Sequence, residues 1–306
     1  MKFNLGKTTA ENMNVIKDVD DILIIGGCGT GKTTKLRNII SQIPKDNNIY
    51  VISEYNEYKD LGFQHYNVDF ANFDLFRFYK NDLDKFNDLE SCIGYYNTII
   101  HSFCDTLEKL TDSAAEKINL YILKNYDGSR NVDIFTFYEW LLRNHSTDSC
   151  LHSIYLKMKL IIQNKSLVNE YIDKNKPIIF TQQDLSNKRL MLFNILSKIY
   201  SLIDNKESWI IIDCVIEDNL EMFFFLKNLF KNKKIHFILS SDEIIQFFSE
   251  NFLKTIDCVE VLTLPQVPRD YIIHMFGINT YLKDIIGRNY AVLIYKDETI
   301  VLEKLK

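Results

Sequence analysis

The amino-acid sequence predicts an α/β protein built on a parallel β-sheet with helices on both faces. Short, almost wholly apolar runs occur in both halves of the chain, and such runs are typical of strands buried on both faces of a parallel sheet. Segments with helical spacing separate these runs, and a long block of helical spacing occupies the middle of the chain. Strands that alternate with helices favour a parallel sheet over an antiparallel one.

The predicted strands are short runs rich in isoleucine, valine and aromatic residues. They cover residues 21–25, 49–53, 177–180, 209–213, 235–240, 259–262, 291–295 and 299–302, with a weaker extended segment at 65–68. The predicted helices cover 32–43 and 188–203, a segment between 213 and 235, and two short segments after 262.

The segment 84–176 differs from the rest of the chain because its apolar residues recur three and four positions apart, as at Ile118, Tyr121 and Ile122. We expect an all-helical insertion in the crossover that follows the second predicted strand. The predicted domains are therefore a core formed by residues 1–83 and 177–306, and an insertion formed by residues 84–176.

The composition is that of an ordinary globular protein. The 306 residues are 46% hydrophobic and 25% charged, with a mean hydropathy of -0.12, which is enough apolar material for one large core. The net charge of -5 and the pI of about 5.7 weigh against the wholesale electrostatic binding of nucleic acid that a basic domain provides. A local patch, or a ring of subunits, can still contact DNA.

The cysteines and the apolar segments indicate a cytoplasmic protein. The six cysteines are scattered and include no CxxC pair, which is typical of reduced thiols and not of a disulfide framework or a zinc site. No apolar run approaches the roughly 20 residues that span a bilayer, and the first residues have no signal-peptide core. Docking on a membrane complex stays compatible with these features.

A complete GxxxxGK[ST] pattern lies directly after a predicted strand and directly before a predicted helix. That context gives the pattern its meaning as a phosphate-binding P-loop, in which glycines let successive backbone N–H groups point at phosphate oxygens. The helix adds its positive N-terminal end. The predicted cofactor is ATP with Mg²⁺, held by Gly27, Cys28, Gly29, Thr30, Gly31, Lys32, Thr33 and Thr34.

Two of these side chains have a predicted role in chemistry. Lys32 reaches the β- and γ-phosphates, and the hydroxyl of Thr33 is a ligand for Mg²⁺. A P-loop ATPase also needs a carboxylate at the end of a neighbouring strand to hold the metal and its water. Asp213 fits this role because it follows four apolar residues of a predicted strand.

The sequence leaves several candidates for the residue that would activate the attacking water. Many such ATPases have a glutamate directly after the aspartate, but this chain has Cys214 there. Glu217 and Asp218 follow shortly afterwards, and Glu54 and Glu57 follow the second predicted strand. Each of these acids is a candidate, with a solvated surface acid as the alternative interpretation.

Polar and cationic residues near other strand ends are further candidates. Ser240 and Ser241 end a predicted strand where a polar residue can sense the γ-phosphate, although Ser241 can equally cap a following helix. Arg269 and Arg288 are the arginines best placed in the sequence to act across a subunit boundary, with an ordinary surface role as the alternative. The predicted catalytic set is Lys32, Asp213, Glu54, Glu217 and Ser241.

Several segments, in order along the chain, resemble the HerA–FtsK superfamily of translocation ATPases, in particular the conjugation and type IV secretion ATPases. Residues 5–6 and 14–19 resemble the lead-in hairpin of that superfamily, and residues 50–58 resemble its second strand with an acidic loop. Residues 178–186 and 281–294 resemble its later strand-and-helix segments. The resemblance covers nearly the whole chain, with the P-loop as its most specific motif.

The resemblance implies a homohexameric motor that couples ATP hydrolysis to the movement of DNA or protein in a secretion complex, with viral genome packaging as a close variant. Three features depart from the pattern and weigh against fast hydrolysis. Cys214 replaces a glutamate, Ser240–Ser241 replaces a glutamine, and lysines at 231–234 stand in place of an arginine. A nucleotide-gated scaffold that hydrolyses ATP slowly or not at all is the alternative. A small-molecule kinase would need an arginine-rich lid, which the sequence does not offer.

Overall fold

A computed structural model gives the fold of this chain. It describes residues 1–9, 11–53, 57–68, 93–94, 97, 100–101, 103–105, 107–125, 134–163, 172–173, 176–182, 192, 195–196, 198–199, 202–203, 206–213, 234–242, 255–264, 270, 273–274, 276, 290–296 and 298–303. The predicted helix between 213 and 235 lies outside these residues, apart from its final position.

The chain forms two compact units. Unit 1 comprises Met1–Tyr66, Asp173–Thr181 and Ile203–Lys306, and unit 2 comprises Asn67–Ile172 and Gln182–Leu202. Unit 1 contains the P-loop sequence and Asp213, so the predicted phosphate site lies within one unit.

Unit 1 begins with an antiparallel hairpin of β1 (Lys2–Lys7) and β2 (Asn14–Asp18). This is the hairpin that the sequence resemblance implies. Phe3 and Leu5 of β1 are fully buried and belong to the hydrophobic core, and Phe3 packs edge-on against Trp209 at a ring-centroid distance of 5.1 Å. The hairpin therefore contributes to the core of unit 1.

A nine-stranded sheet follows, in the order β11-β10-β9-β3-β8-β7-β4-β6-β5. Its strands are β3 (Ile22–Ile25), β4 (Asn48–Ser53), β5 (Gln64–Val68), β6 (Ile178–Gln182), β7 (Ser208–Ile212), β8 (Ile235–Ser241), β9 (Cys258–Val261), β10 (Tyr290–Tyr295) and β11 (Glu298–Glu303). Each strand overlaps a predicted one. All residues of β3, β4, β7 and β9 are buried, as expected of strands covered on both faces.

The sheet is mostly parallel but not wholly so, which corrects the prediction of a parallel sheet. Strands β9, β3, β8, β7, β4 and β6 pair in parallel. By contrast, β10 runs antiparallel to both β9 and β11. Tyr295 pairs with Glu298, so only two residues connect β10 to β11, and a connection that short allows only antiparallel strands.

Helix α1 (Lys32–Ile40) follows the P-loop and ends three residues before the predicted boundary at 43. Its buried residues include Leu36, Ile39 and Ile40, which recur at helical spacing and join the same core cluster as the central strands. Burial of this apolar face fixes the start of the helix at the carboxyl edge of the sheet.

The described elements that lie wholly in unit 2 are helices. They are α2 (Asp112–Asn125), α3 (Ile134–Asn144) and α4 (Ser149–Gln163), with a short 3-10 helix (His145–Thr147) between α3 and α4. Tyr121, Phe137 and Trp140 pack together with ring centroids 4.9 to 5.6 Å apart. Among the described residues, no helix has both the length and the apolar character needed to cross a membrane.

Candidate functional site

The carboxyl ends of three neighbouring parallel strands, β3, β8 and β7, lie side by side at the carboxyl edge of the sheet. Ile25, the last residue of β3, pairs with Ser241 of β8, and Ile212, the last residue of β7, pairs with Leu239. The carboxyl edge of a parallel sheet is where α/β proteins place their ligand sites. The P-loop, Asp213 and the end of β8 therefore meet in this region of unit 1.

The P-loop backbone takes a shape that its glycines allow. Gly31, the N-cap of α1, has a φ of 97°, in the left-handed region that side-chain-bearing residues rarely adopt. At Gly26 the constraint is space, because a Cβ atom there would lie 2.5 Å from Thr30 Oγ1 and 2.8 Å from Leu262 Cβ. The sequence pattern thus matches a physical need at both of its fixed glycines.

Hydrogen bonds anchor the loop to the sheet. The Gly26 N–H donates to the Ser241 carbonyl at 3.1 Å, and the Gly27 N–H donates to the Thr263 carbonyl at 3.1 Å. The hydroxyl of Thr30 donates to the Gly27 carbonyl at 2.8 Å. These bonds fix the first residues of the loop against the carboxyl ends of β8 and β9.

Helix α1 presents its N-terminus at the same place. The first N–H groups of any α-helix have no intrahelical acceptor, and the helix dipole places partial positive charge there. Lys32 and Thr33 are the first two residues of α1. The loop and the helix together form an arrangement that suits a phosphate group.

Lys32 points into the loop and has only 8% of its side chain exposed. Its ammonium donates to the carbonyl of Gly26 at 2.8 Å and to that of Gly27 at 2.9 Å. It also forms an ion pair with Asp242, which follows β8. The lysine is thus held inside the predicted phosphate site.

Asp213 is nearly buried, with 9% exposed, and both of its carboxylate oxygens accept hydroxyl hydrogen bonds. Ser240 donates to Oδ1 at 2.6 Å, and Tyr58 donates to Oδ2 at 2.6 Å. The backbone N–H of Asp213 donates to the Ile52 carbonyl at 2.9 Å. Three strands therefore fix the position of this carboxylate.

The hydroxyl of Thr33 lies between two carboxylates. Its Oγ1 is 2.9 Å from Glu57 Oε2 and 3.4 Å from Asp213 Oδ2. Hydroxyl and carboxylate oxygens are the ligands that Mg²⁺ prefers, and Mg²⁺ usually takes one or two protein ligands beside phosphate and water. The residues present therefore fit a Mg²⁺ ion that is bound together with a nucleotide.

Burial raises the pKa of Tyr58 far above its ordinary value of 10.0, and the neighbouring charge of Asp213 raises it further. Tyr58 is fully buried in the core cluster. Its hydroxyl therefore stays protonated and acts as a donor to Asp213.

Arg37 of α1 holds the segment that carries Glu57 and Tyr58. Its guanidinium donates to the Glu57 carbonyl at 2.5 Å and forms an ion pair with Asp60. Helix α1 therefore contributes its N-terminus to the proposed phosphate site, and its Arg37 fixes the segment that follows β4.

The structure places Lys32 and Thr33 at the start of α1, with the Thr33 hydroxyl 3.4 Å from Asp213 Oδ2. Ser241 lies beside them through its carbonyl, whereas it is the side chain of Ser240 that reaches Asp213. Of the other P-loop residues, Cys28, Gly29 and Thr34 are exposed and Gly27, Thr30 and Gly31 are half-buried. The predicted Glu54 and Glu217, and also Cys214, Asp218, Arg269 and Arg288, lie outside the described residues.

Two residues of the site were missed by the sequence reasoning, namely Tyr58 and Asp242. Tyr58 lies one position after the candidate acid Glu57, and Asp242 lies one position after the candidate serines. The available signal was their position after the carboxyl ends of two strands, with Asp242 directly after β8 and Tyr58 five positions after the end of β4.

No family model matches this sequence, and no curated protein matches it. Among solved structures, VirB4 of Thermoanaerobacter pseudethanolicus is similar over 99% of this chain and 96% of its own, with a TM-score of 0.76 and 15% identity. The bacterial conjugative coupling protein TrwB is similar over 98% of this chain and 88% of its own, with a TM-score of 0.61 and 11% identity. TrwB in complex with the GTP analogue GDPNP gives a TM-score of 0.58 at 12% identity, over 93% of this chain and 85% of its own.

These structures extend over almost the whole of this chain, and the similarity is therefore one of overall architecture and not of the P-loop alone. The chain therefore has the fold of VirB4 and of the conjugative coupling protein TrwB.

Proposed function

We propose that this chain binds ATP with Mg²⁺ at the carboxyl edge of its sheet and hydrolyses it to drive the translocation of DNA or protein. The observation that carries the proposal is the meeting of two separate segments, the start of α1 and the end of β7, with Thr33 Oγ1 3.4 Å from Asp213 Oδ2 and Lys32 held inside the loop. The likeness to VirB4 and TrwB over nearly the full chain supports the same conclusion.

Each residue of the site has a role in this proposal. The backbone N–H groups of residues 27–33 and the N-terminus of α1 hold the phosphates, with Lys32 at the β- and γ-phosphates. Thr33 and Asp213 hold Mg²⁺, which neutralises charge that develops on the phosphate oxygens. Tyr58 and Ser240 keep the Asp213 carboxylate in position through their hydrogen bonds of 2.6 Å.

We assign the activation of water to Glu57. Cys214 occupies the position where a glutamate is usual, and a thiol is a poor general base for water. Glu57 is exposed, and its carboxylate is 2.9 Å from the hydroxyl of Thr33, beside the proposed metal. Glu54 and Glu217 remain candidates from the sequence for the same role.

The proposal includes a cytoplasmic homohexamer in which neighbouring subunits complete each site. Arg269 and Arg288 are the proposed donors across the subunit boundary. Residues 1–83 and 177–306 would form a RecA-like core with helices on both faces, and the helical insertion at 84–176 would contact the cargo or a secretion or packaging complex, including one docked on a membrane. The helices α2, α3 and α4 described in unit 2 are consistent with such an insertion.

Steady-state release of phosphate, measured over a range of protein concentrations with Lys32→Ala as the control, tests the proposal. We expect a rate per subunit that rises steeply with concentration, because shared sites form only in the oligomer, and that vanishes in the variant. A concentration-independent rate would contradict the shared sites.

The same measurement separates the alternative function. Tight, Mg²⁺-dependent binding of ATP without release of phosphate above the Lys32→Ala level would show that the departures from the family pattern have disabled the chemistry. The chain would then be a nucleotide-gated scaffold, and the motor would be excluded.

A further inference from the structure

All three donors of the Lys32 ammonium are occupied. A lysine ammonium has three N–H donors and no acceptor. In this structure its partners are the carbonyls of Gly26 and Gly27, at 2.8 and 2.9 Å, and the carboxylate of Asp242. A phosphate oxygen can therefore receive a hydrogen bond from Lys32 only if one of these three acceptors gives up its own.

The two carbonyls are poor candidates for displacement. Gly26 and Gly27 are tied to the sheet by their N–H bonds to Ser241 and Thr263, each 3.1 Å long. A Cβ atom at Gly26 would clash with Leu262, so the backbone is also tightly packed there. Moving either carbonyl would therefore disturb the loop that makes the site.

Asp242 differs from the carbonyls in both charge and exposure. It is the anionic partner among the three, and 43% of its side chain is exposed while Lys32 is almost buried. A half-exposed carboxylate regains water when it turns away, so its release costs far less than the release of a buried group. The acceptor easiest to displace is also the one with the charge of a phosphate oxygen.

We propose that Asp242 occupies the place of a nucleotide phosphate at Lys32 and competes with it, so that Asp242 sets how tightly nucleotide is held. This inference rests on the proposed binding of ATP at the P-loop. When the site is empty, Asp242 neutralises the buried ammonium. When nucleotide arrives, one anion replaces another at the same donor, and the carboxylate turns to solvent.

The competition makes nucleotide binding weaker than the P-loop alone would allow. Binding must break the contact between Lys32 and Asp242, and the bound phosphates then lie near a displaced negative charge. Removing the charge of Asp242 removes both costs. Ion pairs between fully exposed groups are worth less than about fivefold in an equilibrium constant, and this pair has one buried member. We therefore expect an effect of about tenfold.

The test compares the affinities of full-length wild-type protein, Asp242→Asn and Asp46→Asn for ATP and ADP, by titration calorimetry with Mg²⁺ present. Asp46 is an exposed acid in the turn after α1, at the opposite end of that helix from the P-loop, so its variant makes the same change in net charge away from the site. Asp242→Ser provides a second neutral side chain in case the asparagine variant folds poorly.

We expect both Asp242 variants to bind ATP and ADP about tenfold more tightly than wild type, and Asp46→Asn to change the affinity by less than about twofold. The gain should persist in 0.5 M salt, because a direct contact with a buried ammonium is screened less than a distant charge. Equal or weaker binding by the Asp242 variants, or a gain shared by Asp46→Asn, would overturn the inference while ATP binding stands. If no protein of the set binds either nucleotide, the proposed function itself fails, and the inference with it.

Discussion

Tyr58 and Asp213, which are 155 positions apart in the chain, are joined by a hydrogen bond of 2.6 Å from the phenolic hydroxyl to Oδ2. Tyr58 follows β4 and Asp213 follows β7, and these two strands are neighbours in the sheet. The same Oδ2 atom lies 3.4 Å from the hydroxyl of Thr33. The tyrosine therefore orients the carboxylate oxygen that faces the proposed metal ligand.

Removal of the Tyr58 hydroxyl should weaken Mg²⁺ binding and leave the phosphate cradle intact. In Tyr58→Phe, Oδ2 of Asp213 loses the donor that orients it, and a hydrogen bond to a charged group is worth about 1.5–3 kcal/mol. We expect the Mg²⁺ concentration for half-maximal ATPase activity to rise at least about tenfold. Nucleotide affinity measured in EDTA should change by less than about twofold.

Tyr295→Phe is the matched control for this change. The Tyr295 hydroxyl donates to the Asp18 carbonyl at 3.0 Å, at the edge of the sheet opposite the P-loop, so this variant also loses one phenolic hydrogen bond. It should behave as wild type in both measurements. Equal Mg²⁺ dependence in Tyr58→Phe and wild type would show that Asp213 does not need the tyrosine.

Glu57→Gln should stop hydrolysis without preventing nucleotide binding. The amide keeps the size of the side chain but cannot accept a proton from water, and a general base contributes about 10²–10⁴-fold to a rate. We expect kcat for ATP to fall at least about a hundredfold, with a change in nucleotide affinity of less than about threefold. Phosphate release and equilibrium binding on the same preparation check both parts.

Asp46→Asn makes the same charge change away from the site. Asp46 is exposed in the turn after α1, so its variant should keep at least about half of the wild-type rate. If Glu57→Gln keeps the wild-type rate, Glu57 is excluded as the residue that activates water, and Glu54 and Glu217 become the candidates.

Cys28 should report occupancy of the P-loop through its chemical reactivity. Its thiol is exposed, whereas Cys104 and Cys258 are buried, and burial raises the pKa of both of these thiols. Because the thiolate is the reactive form, N-ethylmaleimide should modify Cys28 far faster than the buried pair. ATP with Mg²⁺ should slow the modification of Cys28 at least about tenfold.

Peptide-level mass spectrometry over time measures these rates site by site. AMP without Mg²⁺ is a suitable control, because it lacks the β- and γ-phosphates that the loop would enclose. Modification of Cys28 at the same rate with and without ATP would contradict the placement of phosphates at this loop.

The sequence predicted best those features that depend on neighbours in the chain. The wholly apolar runs 22–25 and 209–212 are strands, because such runs are stable only when both faces are covered. The P-loop is a local motif whose glycines meet local constraints, such as the space at Gly26. The position of Asp213 directly after β7 was predictable from the apolar run before it, and its role in holding Mg²⁺ stays a prediction.

What the sequence could not predict depends on which strands become neighbours. Tyr58 meets Asp213 only because β4 lies beside β7. The spacing of apolar residues within each segment does not reveal which strands are neighbours in the sheet. The side chain of Ser240, and not that of Ser241, reaches Asp213, which follows from the alternation of side chains along β8. The reversed direction of β10 likewise depends on its pairing with β9.

The buried ion pair between α1 and β9 should be costly to break by replacing one partner, whereas replacing both partners with apolar residues should cost little stability. Lys35 and Glu260 lie 2.9 Å apart and are 4% and 3% exposed, and Lys35 also donates to the Leu5 carbonyl. Lys35→Met or Glu260→Met alone leaves one buried charge without its partner, and each should lower the free energy of unfolding by about 3–5 kcal/mol. The double variant should recover most of this loss, because two apolar side chains need no partner.

Urea denaturation followed by the fluorescence of Trp209, in a Trp140→Phe background, measures these differences in unit 1. Trp209 lies in the core of that unit, and Trp140 lies in unit 2. Single variants that are as stable as wild type would mean that the two groups are solvated in solution and not paired in the core.

The same pair predicts a dependence of stability on pH. Burial raises the pKa of Glu260 above its ordinary value of 4.5, and the nearby charge of Lys35 offsets this only in part. Between 4.5 and the raised pKa, the folded protein binds a proton that the unfolded chain has released, so the contribution of Glu260 to stability is lost as the pH rises through this window. The double variant Lys35→Met/Glu260→Met lacks this titration, and its stability relative to wild type should therefore increase from pH 4.5 upwards until the raised pKa is passed. Urea midpoints of both proteins at half-unit steps of pH check the sign, and a relative stability that decreases over this window would show that the attraction of Lys35 outweighs the burial of the carboxylate.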